Sequence, residues 1–273
     1  MNGLDGIIAD LGVKTNVTLV ILTVALLMSR ILPVIILSPV FGGEIVPTEI
    51  KIGIGVTLAI VLFPAVSERV TNIPFQAFPF VLLMMKELFI GVALSFIVNT
   101  VFEAAQMAGG LVDFLSGMNM AQIYQPQRQT QVTIFSDLKF QLSIVLFLTL
   151  NGHRIVIETL SDSLITLPLD KFPSFPQGQW AFFDLILRMF GDLLRVALLL
   201  SAPAFLATFL TDLALGMINR VAPQVQVFFM SMSIKPLVAA LMVMLTLHVL
   251  VDKLHLEFAA MLKTLKDAIS LLA

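Results

Sequence analysis

Nearly every long apolar run in this chain carries an ionisable residue or a proline in its interior, and that coincidence restricts what it can fold into. A bilayer core of roughly 30 Å takes about 20 apolar helical residues to cross. Val17 to Ser38 fits, interrupted only by Arg30 and Pro33. Ile52 to Val66 is apolar but short, and Phe78 to Phe102 carries Lys86 and Glu87 side by side. Ile134 to Leu150 holds Asp137 and Lys139 near its start. Leu193 to Ile218 contains Arg195, Pro203 and Asp212, and Val225 to Val251 contains Lys235 and Pro236. A charge at the bilayer centre costs about 2.5–3.5 kcal/mol even on the lenient insertion scale. A proline at that depth frees backbone groups that only protein or a water-filled cavity can satisfy. The expected fold is therefore an all-α integral membrane protein. About six apolar, kinked helices pair as hairpins and pack against protein, as in a subunit of a larger assembly.

The composition excludes the soluble alternatives. Of the residues, 58% are hydrophobic and 12% charged, with a mean hydropathy of +1.00. A soluble domain carries about a quarter charged residues, so half the polar coat is missing. A net charge of -2 offers nucleic acid no electrostatic footprint. The chain has no cysteine, which removes disulfides, thiolate metal sites and cysteine nucleophiles. Asp5 and Asp10 precede the first apolar run, which lacks a small-residue cleavage site. That run reads as a retained membrane segment instead of a signal peptide.

Two connections stand out. Gly109 to Gln131 contains three glycines, a proline and many amides, yet Leu111, Phe114, Met118, Met120, Ile123 and Tyr124 keep it apolar. It is expected to be non-helical in part. Asn151 to Phe190 is the longest polar connection, and its proline-rich section Leu167 to Trp180 reads as an exposed turn region. The organisation expected is a membrane unit over 1–251 and an amphipathic helix over 252–273. In that helix Leu254, Phe258, Met261, Leu262, Leu265 and Ile269 fall at helical spacing opposite Asp252, Lys253, Glu257, Lys263, Lys266 and Asp267. Such a stripe packs on its own protein or lies at the interface, unless it docks a partner.

No constellation for catalysis is present. The sequence has no HExxH, no glycine-rich phosphate loop and no GxSxG. His248, Asp252 and His255 share a helical face, but at the end of a span histidine more often sits at the interface. Lys86 and Glu87 are expected to pair with neighbouring helices, because adjacent residues on a helix point in different directions. Asp212 and Arg220 lie two turns apart around Gly216, and the plain reading is an ion-pair pin closing a helix hairpin.

The stretch Ala202 to Lys235, APAFLATFLTDLALGMINRVAPQVQVFFMSMSIK, resembles the FliR/SctT family of type III secretion export-gate subunits. The matching elements are Ala202-Pro203, Asp212, Gly216, Asn219-Arg220, Ala222-Pro223-Gln224, Val227-Phe228 and Lys235. Arg30, Pro39, Pro47 and Lys51 fit the family's opening, and Asn151-Gly152-His153 fits further along. Glu103 to Gly117, followed by Tyr124-Gln125-Pro126-Gln127, fits its proline-closed loop. Gln226 stands where the family carries asparagine. Asn-Gly-His looks flagellar, whereas FFMSMSIK looks closer to the injectisome branch.

The resemblance implies a subunit without catalytic activity or cofactor, in the bacterial cytoplasmic (inner) membrane within the secretion basal body. It implies assembly with FliP/SctR-type, FliQ/SctS-type and FlhB/SctU-type subunits around a channel for unfolded proteins. The loop at about 109–131 would then plug the channel. Met118, Asn119, Met120, Ile123 and Tyr124 form the plug, Gly109, Gly110 and Gly117 serve as hinges, and Asp212, Gly216, Arg220, Pro223, Gln224, Phe228 and Lys235 form the assembly motif. Apolar side chains can seal a pore by dewetting it. Broken helices with charges at mid-depth leave a secondary transporter for a small solute as the alternative.

Overall fold

The computed structural model describes residues 17–41, 43, 46–67, 70, 73–74, 76–120, 123–125, 130–173 and 178–272. Asp5, Asp10, Pro126 and Gln127 lie outside them. Among the described residues eight α-helices follow in order: α1 (Val17–Leu37), α2 (Thr48–Ser67), α3 (Ala77–Ser116), α4 (Ile134–Thr149), α5 (Gly152–Thr166), α6 (Gln179–Val221), α7 (Val227–Leu245) and α8 (Leu247–Leu272). Two three-residue strands, β1 (Ile123–Gln125) and β2 (Thr130–Val132), form an antiparallel pair between α3 and α4. Five helices, α1, α2, α3, α6 and α7, are long and apolar enough to cross a membrane. The pair α4 and α5, bent by 69° at the intervening turn, makes a sixth span if taken together. The expected all-α membrane fold is what the chain adopts.

Several boundaries differ from the sequence reading; the run ending at Val251 breaks after Leu245, and α8 begins at Leu247. Helix α3 does not stop at Phe102 but runs 40 residues to Ser116. The glycine pair that suggested a break sits inside it. The supposed polar connection from Asn151 contains α5 and the start of α6. Its Val156, Thr159, Leu160, Ser163, Leu164 and Leu167 are buried at helical spacing while Arg154, Glu158 and Asp162 face outward. The periodicity was that of a helix, diluted by its polar face. Asn151 makes the turn between α4 and α5 in the left-handed region, with φ 56°.

The chain divides into two compact units. The first holds the described residues of Met1–Ile97, Arg154–Phe183 and Thr264–Ala273. Its core is α1, the first half of α3 and α5, and its centre is charged. Arg30 is wholly buried: its Nε donates to Glu87, Nη1 to the Ser163 carbonyl (2.7 Å) and Nη2 to the Leu167 carbonyl (2.9 Å). Lys86 Nζ donates to the carbonyls of Pro168 (3.1 Å), Leu169 (3.1 Å) and Lys171 (2.9 Å) and lies 2.5 Å from Glu87 Oε1. The last carbonyls of a helix have no partner within it, and cations there are favourable. Arg30 and Lys86 supply donors to the end of α5 and to the turn beyond it, and Glu87 offsets part of their charge. Each of the adjacent pair does bind a neighbouring element, as expected, but the two also meet each other. Lys51 on α2 likewise donates to the Ile36 carbonyl at the end of α1 (3.2 Å).

The second unit is Val98–His153 with Asp184–Lys263. Phe102, Phe147 and Phe258 pack as a triad with ring centroids 5.1–5.3 Å apart and essentially no exposure. Phe258 belongs to the amphipathic stripe anticipated in the C-terminal helix. Leu254 and Met261 are buried with it, as are Leu265, Ile269 and Leu272 in the part of the helix that belongs to the first unit, so this face packs on its own chain. Within the same unit α6 and α7 form a hairpin closed by a turn at Ala222–Gln226, where Val225 N donates to the Ala222 carbonyl.

Candidate gate loop

The segment between α3 and α4 begins with a stem, and buried contacts fix it. Asp113 in the last turns of α3 is fully buried. Its Oδ2 accepts from the backbone N–H of Ser136 (2.9 Å) and its Oδ1 from that of Phe135 (3.2 Å). These donors belong to the first turn of α4, which has no partner inside its own helix. Thr133 occupies the N-cap position with the extended conformation that suits a cap (φ -91°, ψ 156°) but makes no side-chain cap bond. The cap comes instead from α3, 22 residues earlier. Ser136 Oγ donates to the Gln106 carbonyl (3.2 Å). Lys139, also buried, donates to the carbonyls of Ala108 (3.5 Å) and Leu200 (3.1 Å).

Gly109 makes this approach possible, because a methyl there would collide with the Phe135 carbonyl and the Ser136 Cα. Gly110 faces open space. Both are helical, so the hinges expected at Gly109 and Gly110 lie in regular helix instead of loop. Gly117 differs: it follows the last helical residue, with φ 79° and nothing near its missing Cβ. That backbone conformation is costly for other residues.

Beyond Gly117, Met118–Met120 form a single 3-10 turn. Met118 is partly buried against a cluster of Val112, Phe135, Ala204, Ala239 and Val243. Asn119 is half-buried, whereas Met120 is 86% exposed. Ile123 and Tyr124 lie in β1, opposite Val132 and Gln131 of β2. The described part of the loop is therefore an apolar turn and a two-stranded pair, the turn following a close-packed stem.

The motif residues gather on the α6–α7 hairpin. Lys235 Nζ on α7 reaches Asp212 Oδ2 on α6 at 3.0 Å. This corrects the expected pin: Asp212 bridges to the facing helix, where Lys235 lies within reach, and not along its own helix to Arg220. Arg220 is exposed in the last turn of α6. Gly216 has open space beside it. Pro223 and Gln224 occupy the turn, and Phe228, the second residue of α7, is 71% exposed. His248 Nδ1 and Asp252 form an exposed contact of 3.0 Å along α8. Among the described residues no three potential ligands gather into a metal site.

Sequence reasoning passed over Asp113 and gave Lys139 no role. Their signal was present as lone charges in apolar surroundings, but their partners are backbone groups that leave no mark in a sequence.

The profile of the family described as bacterial export proteins, family 1, matches residues 21–261. The flagellar biosynthetic protein FliR of Bacillus subtilis is 27% identical over 247 residues, covering 90% of this chain and 94% of the relative. The Yop proteins translocation protein T of Yersinia pestis is 30% identical over 226 residues, covering 82% and 85%. The secretion system apparatus protein SsaT of Salmonella typhimurium is 33% identical over 165 residues, covering 60% and 61%.

Proposed function

Because the chain belongs to the family of bacterial export proteins, family 1, we propose that it is the gate-forming subunit of a type III export apparatus, with its 117–133 loop as the seal. Membership of the apparatus rests on relatives named for flagellar biosynthesis and for protein translocation. They set aside the small-solute transporter.

The observation that carries the gate reading is the loop itself. An apolar turn, with Met120 almost wholly exposed, follows a stem in which the Asp113 contacts to α4 are buried. A closed pore must stop ions yet yield to an unfolded chain. Methionine suits this, being flexible and apolar, and a constriction lined this way resists wetting. Gly117 supplies the pivot. No cofactor or catalytic group enters this mechanism.

Partners follow from the hairpin. Helix α7 is mostly exposed, with Phe228, Phe229, Met232, Leu237 and Leu241 uncovered around it, and the Asp212–Lys235 pair joins it to α6. An ion pair is expensive against lipid, so this face is read as covered by protein: FliP/SctR-type, FliQ/SctS-type and FlhB/SctU-type subunits in the cytoplasmic membrane.

The test is to shorten the loop between Gly117 and Tyr124 and follow two quantities in cells. Assembled complex, isolated through a tag on this chain, should remain and contain unlike small membrane proteins. Small-molecule leak should rise. Intact assembly with a tight membrane would remove the seal, and purification as a homo-oligomer would remove the subunit.

A further inference from the structure

We infer that Asp113 is a clasp: one carboxylate that positions the gate loop by tying the end of α3 to the start of α4. The inference rests on the gate reading. An ordinary cap comes from the residue at the N-cap position itself. Here Thr133 stands there in the right conformation and leaves the first turn uncapped by its side chain. Both Asp113 oxygens are used on two successive N–H groups across the base of the loop. A cap needed only for helix stability could come locally at no topological cost. This one also closes the ring from which the plug projects.

The surrounding contacts point the same way. Ser136 to Gln106, Lys139 to Ala108, and the close approach at Gly109 all join the same two short segments, 106–113 and 135–139. On the exit from α3, by contrast, Gly117 sits in open space with positive φ. The two ends of the loop are therefore unequal. The arm leaving α3 pivots at Gly117, while the arm entering α4 is seated by the clasp. Loss of the clasp would free both arms, and the plug would no longer return to one position.

Three variants in the assembled complex test this, with the loop-shortened chain as reference. Asp113→Ala should raise small-molecule leak several-fold. Asp113→Asn keeps one acceptor and should leak less. The double variant Asp113→Ala with Thr133→Asp restores a local cap to α4 but not the tie to α3, so it should assemble normally and still leak. A merely structural role predicts the opposite: the local cap would seal the double variant, which overturns the clasp. A tight Asp113→Ala complex at normal abundance overturns it too. Should Asp113→Ala fail to assemble, Asp113→Asn decides alone, its leak supporting the clasp and a tight membrane overturning it. A loop-shortened chain that leaks beside a tight Asp113→Ala defeats the clasp only. A loop-shortened chain that stays tight defeats the gate reading and the clasp with it.

Discussion

Arg30 of α1 and Glu87 of α3 form an ion pair in which neither side chain has any solvent exposure. Lys86 adds a second cation to the same carboxylate. Removing one member of a buried pair leaves an uncompensated charge, at about 3–5 kcal/mol. Glu87→Ala should therefore lower the amount of chain in membranes and the unfolding temperature of the complex. Replacing Arg30, Lys86 and Glu87 together with apolar residues removes the charges but also the donors to the Ser163, Leu167 and Pro168 carbonyls. The triple variant should stay destabilised. Full recovery of the unfolding temperature would show that the charges matter only to one another.

The glycine pair in α3 gives a sharper comparison. Alanine at Gly109 meets the backbone of Phe135 and Ser136, which cannot move aside like a flexible side chain. Overpacking of this kind costs about 1–3 kcal/mol. Alanine at Gly110 enters open space in a helix and should stabilise by about 0.5–1 kcal/mol. Thermal unfolding of the two variants should shift in opposite directions. Equal shifts would contradict the close-packed stem.

Much of the fold was legible in the sequence. Six apolar runs gave six helices, because hydrophobic length is local information. The extension of α3 through Gly109 was hidden, since the glycine answers to Phe135 and Ser136 on another helix. Helix α5 was hidden for the converse reason: its polar face diluted a buried stripe that only tertiary packing explains. At the candidate site the apolar turn could be read from Met118 and Met120. The clasp could not, because Asp113 binds main-chain N–H groups that every residue but proline offers. Charges buried in helices led to the expectation that each needs another protein. Arg30, Glu87, Lys86, Asp113 and Lys139 instead find their partners inside the chain, as Asp212 and Lys235 do less deeply across the α6–α7 hairpin, while Arg195 is exposed on α6.

For that pair the expected outcome concerns assembly. Asp212 is half-exposed in the chain alone, where such a bridge is worth about 0–1 kcal/mol. Asp212→Ala or Lys235→Ala should barely change how the chain itself folds, yet should reduce recovery of partner subunits with it. Exchanging the two, Asp212→Lys with Lys235→Asp, should recover part of the loss if the bridge sets the spacing of α6 and α7. Arg220→Ala, at the exposed end of α6, should likewise act on assembly more than on leak. Pull-down yields unchanged by all four variants would place the partner surface elsewhere.

Met118 and Met120 are two residues apart and should respond differently to the same change. Met118 packs against Val112, Phe135, Ala204, Ala239 and Val243, so it belongs to the core as well as to the loop. Met120 is 86% exposed and touches little of its own chain. Serine at Met118 removes buried apolar surface, at about 25 cal/mol for each Å² exposed. It should lower the unfolding temperature of the complex as well as open a leak. Serine at Met120 should leave stability within about 0.5 kcal/mol, as for surface positions generally. Its effect should be on leak alone, because wetting a constriction requires only that its lining become polar. Leucine at Met120 keeps the lining apolar and should keep the membrane tight. The discriminating measurement is small-molecule leak per assembled complex, set beside the unfolding temperature of each variant. A Met120→Ser complex that is stable and tight would mean that the exposed turn of the loop does not seal, whatever its stem positions.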